Sequence, residues 1–434
     1  MNPVKVGIAG LGTVGSGTVN ILRRNAGEIA RRVGRPIEVT LIGARRDNPS
    51  CDITGIRVSR DVMDVARDPE VDIVVELLGG TTTARELVLL AIANGKHVVT
   101  ANKALIAEHG NEIFSAAHAK GVDIAFEGAV AGGVPILKAL GEGLAANRIK
   151  WIAGIINGTG NFILTEMRDK GRGFADVLNE AQLLGYAEAD PTFDVEGIDA
   201  AHKLTILASI AFGIPLQFSK VYTEGISQLT REDIAAAEQF GYRIKHLGIA
   251  KDTGNGIELR VHPTLIPQSV LLASVNGVMN AVMIDGDAVG PTLFYGAGAG
   301  AEPTGSAVVA DIIEMGRLLT IDHQHRVPYL GFHTDVLSDD PILPIDEIVC
   351  PFYIRLNVQD RAGVLADITR ILSEHNISIE AMFQKDVDEG NTVPIMLMTH
   401  SVLERNMNGA LAEIAALGTV DNDIVRIRVE LLQA

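Results

Sequence analysis

The chain has 434 residues, of which 47% are hydrophobic and 21% charged, a balance typical of a globular protein of about three domains. Its formal net charge of -17 argues against a nucleic-acid partner, because phosphate contacts require clustered Lys and Arg. It has only two cysteines, Cys51 and Cys350, without metal-ligand spacing, so we expect no disulfide framework and a reducing, cytoplasmic location. The apolar stretches are too short or too interrupted to cross a bilayer, and we expect no membrane partner.

The first part of the chain alternates between apolar strands and helices. Residues 4–9 (VKVGIA) predict a buried strand, followed by a glycine turn and a helix that runs to about Ala30. The following predicted elements are strands at 37–43, 71–78, 97–100 and 122–127 and helices at about 83–94 and 104–119. This alternation predicts an α/β fold with a parallel sheet covered on both faces, and we assign residues 1–133 to a Rossmann-type dinucleotide-binding domain.

A GxGxxG turn follows the first strand and opens the first helix. It consists of Gly10, Gly12 and Gly15, with Thr13 and Val14 between the last two glycines. The glycines permit a tight turn, close approach of the backbone to a pyrophosphate, and packing of the helix on the strand, while the phosphates lie at the helix N-terminus. The context favours nucleotide binding over the alternative, a merely structural turn.

The end of the second strand predicts which dinucleotide binds. Enzymes that use NAD usually carry an acidic residue here, which binds the ribose 2′-hydroxyl. In this chain Arg45 and Arg46 come first and Asp47 only afterwards. Two arginines suit a 2′-phosphate, so the sequence favours NADP, with NAD as an alternative cofactor. The competing interpretation is that both arginines are solvated loop charges.

The segment 181–203 is rich in ionisable residues and turn formers. Glu188, Asp194, Asp199 and Lys203 lie in it, and an apolar helix is predicted from about Ile198 to Phe212. On that helix Asp199 and Lys203 are four residues apart and share one face. Such a pair is often a surface salt bridge, but its apolar neighbours predict that this lysine faces inward.

The same segment carries a resemblance to a known family. From Ala181 to Lys203 the pattern Ala-x3-Gly-Tyr-Ala-x2-Asp-Pro-x2-Asp-Val-x-Gly-x-Asp-x3-Lys resembles the signature of homoserine dehydrogenases. Further similar stretches are Thr100-Ala101-Asn102-Lys103, Asn157-Gly158-Thr159-Gly160-Asn161-Phe162, and Gly298-Ala299-Gly300 before Pro303-Thr304. The resemblance covers essentially the whole chain.

The resemblance implies a reaction and the residues that serve it. The reaction interconverts L-aspartate 4-semialdehyde and L-homoserine, with a hydride passing to or from a nicotinamide. Lys203 is the implied acid/base, Lys103 is a second cation near the nicotinamide, and Asp199 is a further implied catalytic residue. The implied substrate-binding residues are Glu188, Asp194, Asp199, Gly158, Thr159, Gly185 and Tyr186. Lys103 and Gly300 join the cofactor site, residues 134–302 form an α+β catalytic and dimerisation domain, and a helix at about 303–330 completes the nucleotide-binding domain.

The family also implies a monovalent cation such as Na⁺ in the loop between its first two domains. Glu127 with the backbone carbonyls of Val130, Gly132 and Val134 matches that loop, and one carboxylate with carbonyl oxygens suits such an ion. The competing interpretation is a glycine hinge between domains, and both can hold.

The C-terminal part resembles an ACT domain, a small ferredoxin-like βαββαβ module that binds amino acids. Residues 336–349 contain two prolines and several acids and predict a linker, followed by the module at 350–434. The predicted effector-binding residues are Asp360, Gly363, Val364, Leu365 and Asn376, whose turn offers backbone N–H groups to a carboxylate. We expect threonine to be the effector, a homodimer or homotetramer, and a folded core after truncation near residue 345. The alternative is a domain that serves only oligomerisation.

Two other functions compete with this interpretation. Aspartate-semialdehyde dehydrogenase acts on the same aldehyde but requires a thiolate nucleophile, and neither Cys51 nor Cys350 lies in a suitable sequence setting. A catalytically inactive amino-acid sensor on the same fold is the second alternative. The presence of Lys103, Glu188, Asp199 and Lys203 argues against it.

Overall fold

The computed structural model of the chain describes residues 2–319, 327–384, 392–421 and 423–432. The described strands are β1 Val4–Ala9, β2 Ile37–Gly43, β3 Arg57–Ser59, β4 Ile73–Glu76, β5 His97–Thr100, β6 Ile124–Ala125, β7 Ile149–Ile155, β8 Tyr222–Thr223, β9 Tyr242–Asp252, β10 Ile257–Pro267, β11 Met279–Gly286, β12 Gly290–Ala297, β13 Val349–Cys350, β14 Phe352–Gln359, β15 Ile379–Gln384, β16 Thr392–Thr399, β17 Val402–Leu403 and β18 Val425–Val429. The described helices are α1 Thr13–Arg24, α2 Ala26–Val33, α3 Asp64–Arg67, α4 Thr82–Ala93, α5 Lys103–Lys120, α6 Ile136–Lys138, α7 Gly158–Lys170, α8 Phe174–Leu183, α9 Thr192–Val195, α10 Ile198–Phe212, α11 Arg231–Gln239, α12 Ala301–Leu318, α13 Val364–Glu374 and α14 Glu404–Ala415.

The chain folds into two compact units, each assembled from three separate stretches. The first unit consists of Met1–Gly158, Asp199–Val221 and Val278–Asp340, and the second of Thr159–Ile198, Tyr222–Gly277 and Pro341–Ala434. The three consecutive domains and the linker predicted from the sequence divide the chain differently, and those boundaries remain a prediction. Among the described residues, no helix is both long enough and apolar enough to span a membrane.

A parallel sheet in the order β3-β2-β1-β4-β5-β6 forms the centre of the first unit. The order reverses direction beside β1, and in open α/β sheets ligands bind at the carboxyl ends of the strands next to such a reversal. The predicted Rossmann-type fold is confirmed. The strand predicted at 122–127 is shorter, Ile124–Ala125, and the first helix is divided at Asn25. The short elements β3 and α3 were not predicted.

The helix α12 returns from late in the chain to complete this part of the first unit. Its residues Val308, Ile312 and Met315 share a buried core with the strand residues Val6 and Ile8. The predicted helix at about 303–330 therefore begins slightly earlier and ends at Leu318, while residues 320–326 lie outside the described part of the chain.

Two further elements of the first unit matter for the site. The strands β12, β11 and β7 form an antiparallel arrangement, in which Ala281 pairs with Ile155. The helix α10 has the predicted bounds, and all its residues from Asp199 to Ala211 are buried. Because this helix is enclosed, polar groups on it need partners inside the protein.

The second unit contains the predicted C-terminal module and the strand β10, with which the module pairs. The elements β14, α13, β15, β16, α14 and β18 follow the βαββαβ pattern, with strand order β18-β14-β16-β15. This confirms the ferredoxin-like ACT fold. Its edge strand β18 also pairs in parallel with β10, where Arg428 lies opposite Thr264. Tyr353 and Ile427 belong to the same buried core as Phe162, so the module shares its packing with earlier parts of the chain.

Candidate active site

The glycine turn between β1 and α1 has the geometry of a nucleotide-binding turn. Gly10 has a φ of 103°, and a Cβ there would lie 2.4 Å from the carbonyl oxygen of Leu77. A Cβ on Gly15 would lie 2.2 Å from the carbonyl oxygen of Gly10, whereas one on Gly12 would meet nothing within 4 Å. Gly10 and Gly15 are thus required for packing, and Gly12 leaves its backbone open to a ligand. The N-terminus of α1 has no side-chain cap, so its N–H groups can face a pyrophosphate.

The arginines that follow β2 lie at the rim of the same cleft. Arg45 and Arg46 are exposed and, with Gly10 and Gly12, line a cleft of about 540 Å³. Sequence reasoning missed a third arginine, Arg60, that belongs to this region.

Arg60 restrains the acidic residue of the turn. Its Nη1 lies 2.9 Å from Asp47 Oδ1 and donates a hydrogen bond of 3.1 Å to the carbonyl oxygen of Ala44. This ion pair neutralises the acidic side chain closest in sequence to the arginine pair. In the sequence Arg60 is recognisable only as a basic residue directly after β3. To place it near Arg45 and Arg46, one would have to know that β3 lies next to β2 in the sheet.

The helix α10 brings the predicted catalytic groups of the first unit together. Lys203 Nζ donates hydrogen bonds of 2.7 Å to Asp199 Oδ2 and 2.7 Å to the carbonyl oxygen of Ile156. Lys103 Nζ, at the start of α5, lies 3.0 Å from Asp199 Oδ1. Asn157 donates a hydrogen bond of 2.8 Å to Asp199 Oδ2, a contact that sequence reasoning missed although Asn157 lies in a recognised motif. Lys203 therefore faces inward, as predicted.

The charges in this cluster favour an ionised Asp199. Burial raises the pKa of its carboxyl, but Lys203 and Lys103 outweigh burial and hold that pKa well below its usual range. Two ammonium groups then share one carboxylate, and the excess positive charge can stabilise an oxygen that becomes negative during a reaction. The implied contact of Asp199 with the substrate remains a prediction, because its oxygens here contact the lysines and Asn157.

The other implied substrate-binding residues belong to the second unit, except Gly158, which ends a stretch of the first. Thr159 Oγ1 donates a hydrogen bond of 2.6 Å to the carbonyl oxygen of Tyr186, so the start of α7 is fixed to the turn after α8. Gly185 supplies that turn with a φ of 75°. Glu188 is exposed, and Asp194 is half-buried on the short helix α9.

The loop that begins at Glu127 is tightly built. Both carboxylate oxygens of Glu127 accept hydrogen bonds of 2.9 Å from backbone N–H groups at α6, those of Leu137 and Lys138. Burial, followed by the nearby Asp311 carboxylate, raises the pKa of Glu127 to about 7. Such a buried carboxylate with backbone carbonyls nearby has the donor chemistry that a monovalent cation accepts. The assignment of Glu127, Val130, Gly132 and Val134 to a cation remains a prediction.

The predicted effector turn opens the helix α13 of the ACT module. Gly363 has a φ of 96° and precedes Val364, which is buried, while Asp360 is exposed. Asn376 has a φ of 59°, a conformation that asparagine tolerates better than most residues. The backbone conformation alone therefore explains why an asparagine stands at this position, and the contact of Asn376 with an effector remains a prediction.

Both cysteines are buried and free. Burial raises the pKa of the Cys350 thiol to about 12 and also raises the pKa of Cys51. A thiolate is the reactive form of cysteine, so neither residue is suited to nucleophilic catalysis at neutral pH.

Comparison with known proteins agrees with this geometry. Family models described as "Homoserine dehydrogenase, NAD binding domain", "Homoserine dehydrogenase" and "ACT domain" match residues 10–127, 135–313 and 352–419 respectively. A homoserine dehydrogenase of Pseudomonas aeruginosa is 65% identical over 433 residues, covering 100% of both chains.

Solved structures extend the comparison to the fold. The crystal structure of a homoserine dehydrogenase from Thiobacillus denitrificans matches with a TM-score of 0.95 and 62% identity, over 100% of this chain and 99% of that one. A hyperthermophilic archaeal homoserine dehydrogenase in complex with NADPH matches with a TM-score of 0.61 and 27% identity, over 72% of this chain and 98% of that one. With its nucleotide-binding turn, paired lysines and C-terminal module, the chain belongs to the homoserine dehydrogenase family of oxidoreductases, as a member with an ACT domain.

Proposed function

We propose that the chain is an NADP-preferring enzyme that interconverts L-aspartate 4-semialdehyde and L-homoserine on the route to threonine, methionine and isoleucine. The observation that carries this proposal is the buried cluster in which Asp199 holds both Lys203 and Lys103. A bound nicotinamide supplies or accepts the hydride. As the aldehyde carbon gains the hydride, Lys203 donates a proton to the oxygen, and in the reverse direction it removes that proton.

The preference for NADP is supported by charge and by a relative. Arg45 and Arg46 present two guanidinium groups to the cleft, and Arg60 neutralises Asp47, the acidic residue closest to them in sequence. A 2′-phosphate gains charge-assisted hydrogen bonds from such groups, which NAD cannot form. The archaeal relative described above was solved with NADPH.

The remaining site residues have supporting roles. Glu188 and Asp199 bind the substrate's ammonium and hydroxyl groups, Asp194 supports them, and the backbone near Gly158–Thr159 and Gly185–Tyr186 contributes further contacts. Glu127 and the carbonyls of Val130, Gly132 and Val134 hold a monovalent cation such as Na⁺. The ACT domain binds an amino acid, threonine, and lowers the activity of a homodimeric or homotetrameric enzyme in the cytoplasm.

A single assay tests the reaction. The purified protein is mixed with NADPH, and oxidation of NADPH is followed after L-aspartate 4-semialdehyde is added, with Lys203→Ala as the matched control. We expect oxidation only when the aldehyde is present, at a rate roughly 10²–10⁴-fold lower in Lys203→Ala than in the unsubstituted protein. If NADPH stays reduced while calorimetry shows that L-threonine binds, the chain is an amino-acid sensor and the proposed activity is refuted.

A further inference from the structure

Two strands from distant parts of the second unit share one edge of β10. β8 pairs in parallel with the first half of β10, where Thr223 lies opposite Val261. β18 of the ACT domain pairs in parallel with the second half, where Arg428 lies opposite Thr264. Because both strands run in the direction of β10, the residue that follows β8, Glu224, meets the side chain of Arg428.

These two residues form an ion pair between a fully buried arginine and a half-buried glutamate. Arg428 Nη1 lies 2.8 Å from Glu224 Oε2, and the Tyr222 hydroxyl donates a hydrogen bond of 2.8 Å to the same oxygen. Arg428 is 0% exposed and also binds Glu404, itself 1% exposed, through Nε at 2.7 Å. The buried guanidinium of Arg428 is shared between Glu404 and Glu224, and these charge-assisted hydrogen bonds fix its position beside Glu224.

The backbone around Glu224 is tied to the segment after the helix α9. The N–H of Ile226 donates a hydrogen bond of 2.9 Å to the carbonyl oxygen of Val195, and Ser227 Oγ donates one of 2.9 Å to Glu196 Oε1. Gly225 lies so close that a Cβ would be 2.2 Å from Glu196 Oε2. Val195 is the last residue of α9, which carries Asp194, so any displacement of residues 224–227 is transmitted to that helix.

The other side of the same backbone is fixed by a buried histidine. His246 Nε2 lies 3.0 Å from the carbonyl oxygen of Glu224 and donates a hydrogen bond to it. The ring of His246 also lies against Gly197, where a Cβ would be 3.2 Å from Cε1. The side chain of Glu224 therefore binds Arg428 of the ACT domain. Its backbone is hydrogen-bonded to His246, whose ring packs against Gly197.

We propose that Glu224 is a positioning residue through which the ACT strand β18 fixes the segment 194–197 for binding of the amino-acid substrate. This inference rests on the proposed function for the role of Asp194. The same contact gives the ACT domain a direct connection to the substrate-binding helix, because β18 cannot shift along β10 without moving Arg428 against Glu224. Coupling of two sites requires such a shared element with more than one arrangement.

The test compares two ion pairs of the ACT domain, one with the residue that follows β8 and one with a residue of β10. Glu224→Gln removes the charge that meets Arg428 and keeps the side-chain shape. The matched control is Glu430→Gln, because Glu430 pairs with Arg260 of β10 and forms no hydrogen bond or ion pair with residues 194–197 in the described part of the chain. Both full-length proteins are studied by amide hydrogen exchange and by steady-state kinetics in both substrates.

In Glu224→Gln we expect amide exchange of the peptide spanning 194–198 to become at least tenfold faster, and KM for L-homoserine to rise about fivefold or more, with KM for NADP unchanged. In Glu430→Gln both quantities should stay within twofold of the unsubstituted protein. Equal behaviour of the two variants, or faster exchange without a change in KM for homoserine, overturns the proposal.

A milder variant covers the case in which Glu224→Gln does not fold. Ser227→Ala removes only the hydrogen bond to Glu196 and should produce the same two changes at smaller size, about threefold each. Unchanged exchange and KM in Ser227→Ala refute the inference in that case. If the unsubstituted protein does not oxidise homoserine, the proposed function fails, and the exchange measurement alone then decides whether Glu224 holds this segment.

Discussion

Lys203 Nζ lies 2.7 Å from Asp199 Oδ2, one helical turn away on α10, and both side chains are buried. The pair shares its carboxylate with Lys103, which comes from the start of a different helix and lies 3.0 Å from the other oxygen. Asp199 therefore sets the position of both ammonium groups. Through this carboxylate, the start of α5 in the nucleotide-binding part is joined to the helix α10.

Replacing Lys203 tests the acid/base assignment. We expect Lys203→Ala to lower kcat by roughly 10²–10⁴-fold, because loss of a general acid/base removes that much rate, while NADPH still binds. The measurements are kcat and the dissociation constant for NADPH. Near-normal turnover would refute the role of Lys203, and parallel loss of NADPH binding would indicate a wider disturbance of the site.

Replacing the two exposed arginines tests the cofactor preference. Arg45→Ala combined with Arg46→Ala should raise the dissociation constant for NADPH by roughly tenfold or more and leave that for NADH within about twofold, because only NADPH carries the 2′-phosphate. Arg32→Ala, an exposed arginine on α2, is the matched control. Equal losses for both cofactors would identify Arg45 and Arg46 as ordinary surface charges.

A monovalent cation should stabilise the loop at Glu127. At constant ionic strength, exchange of choline chloride for sodium or potassium chloride should raise the melting temperature by a few degrees, because a ligand that binds only the folded state stabilises it. Glu127→Gln should abolish the rise, whereas the control Glu142→Gln, an exposed neighbour, should keep it. Identical melting in all three salts would argue that the loop serves only as a hinge.

Removal of the ACT domain should destabilise the rest of the protein more than the sequence indicated. Truncation near residue 345 was expected to leave a folded core, but it would remove β18 from the edge of β10 and expose the core that Phe162 and Leu265 share with Tyr353. Each large apolar side chain that loses its burial costs about 1.5–3 kcal/mol. We therefore expect the truncated protein to melt at least about 10 °C lower or to aggregate. A truncated protein that melts like the full chain and no longer responds to L-threonine would restore the original expectation.

The buried Lys245 gives a pH-dependent test of stability. It is 1% exposed, donates hydrogen bonds to Asn161 and to the carbonyl oxygen of Val275, and has a pKa lowered from 10.5 to about 7 by burial and then by Arg168 and Arg243. A base whose pKa is lower in the folded state destabilises the fold progressively as the pH falls from its unfolded pKa to its folded pKa, because in that range only the unfolded chain binds the proton. The loss of folding stability caused by Lys245 thus grows as the pH falls from 10.5 to about 7, and it is constant at lower pH.

Lys245→Met should therefore gain stability relative to the unsubstituted protein as the pH is lowered from about 10 to 7, by at most about 4 kcal/mol. Chemical denaturation of both proteins at several pH values measures the difference. The control is Lys251→Met, which replaces a lysine near the end of the same strand. A stability difference that does not change with pH would show that Lys245 titrates normally.

Several features of the protein followed from the sequence because they depend on short stretches of chain. The apolar strands, the glycine turn from Gly10 to Gly15 and the bounds of α10 are encoded by side-chain period and by residues that favour turns. The i,i+4 spacing of Asp199 and Lys203 likewise placed them on one face of a helix before any fold was known.

Other features were decided only by tertiary structure. The contact of Lys103 with Asp199, the ion pair of Arg60 with Asp47, and the pairing of β18 with β10 join residues whose separation along the chain carries no periodic signal. The partner of a strand edge and the partner of a buried charge both depend on how whole helices and strands pack. The ACT domain could thus be recognised as a module from its own residues, whereas its shared core and the contact of Arg428 with Glu224 required the folded chain.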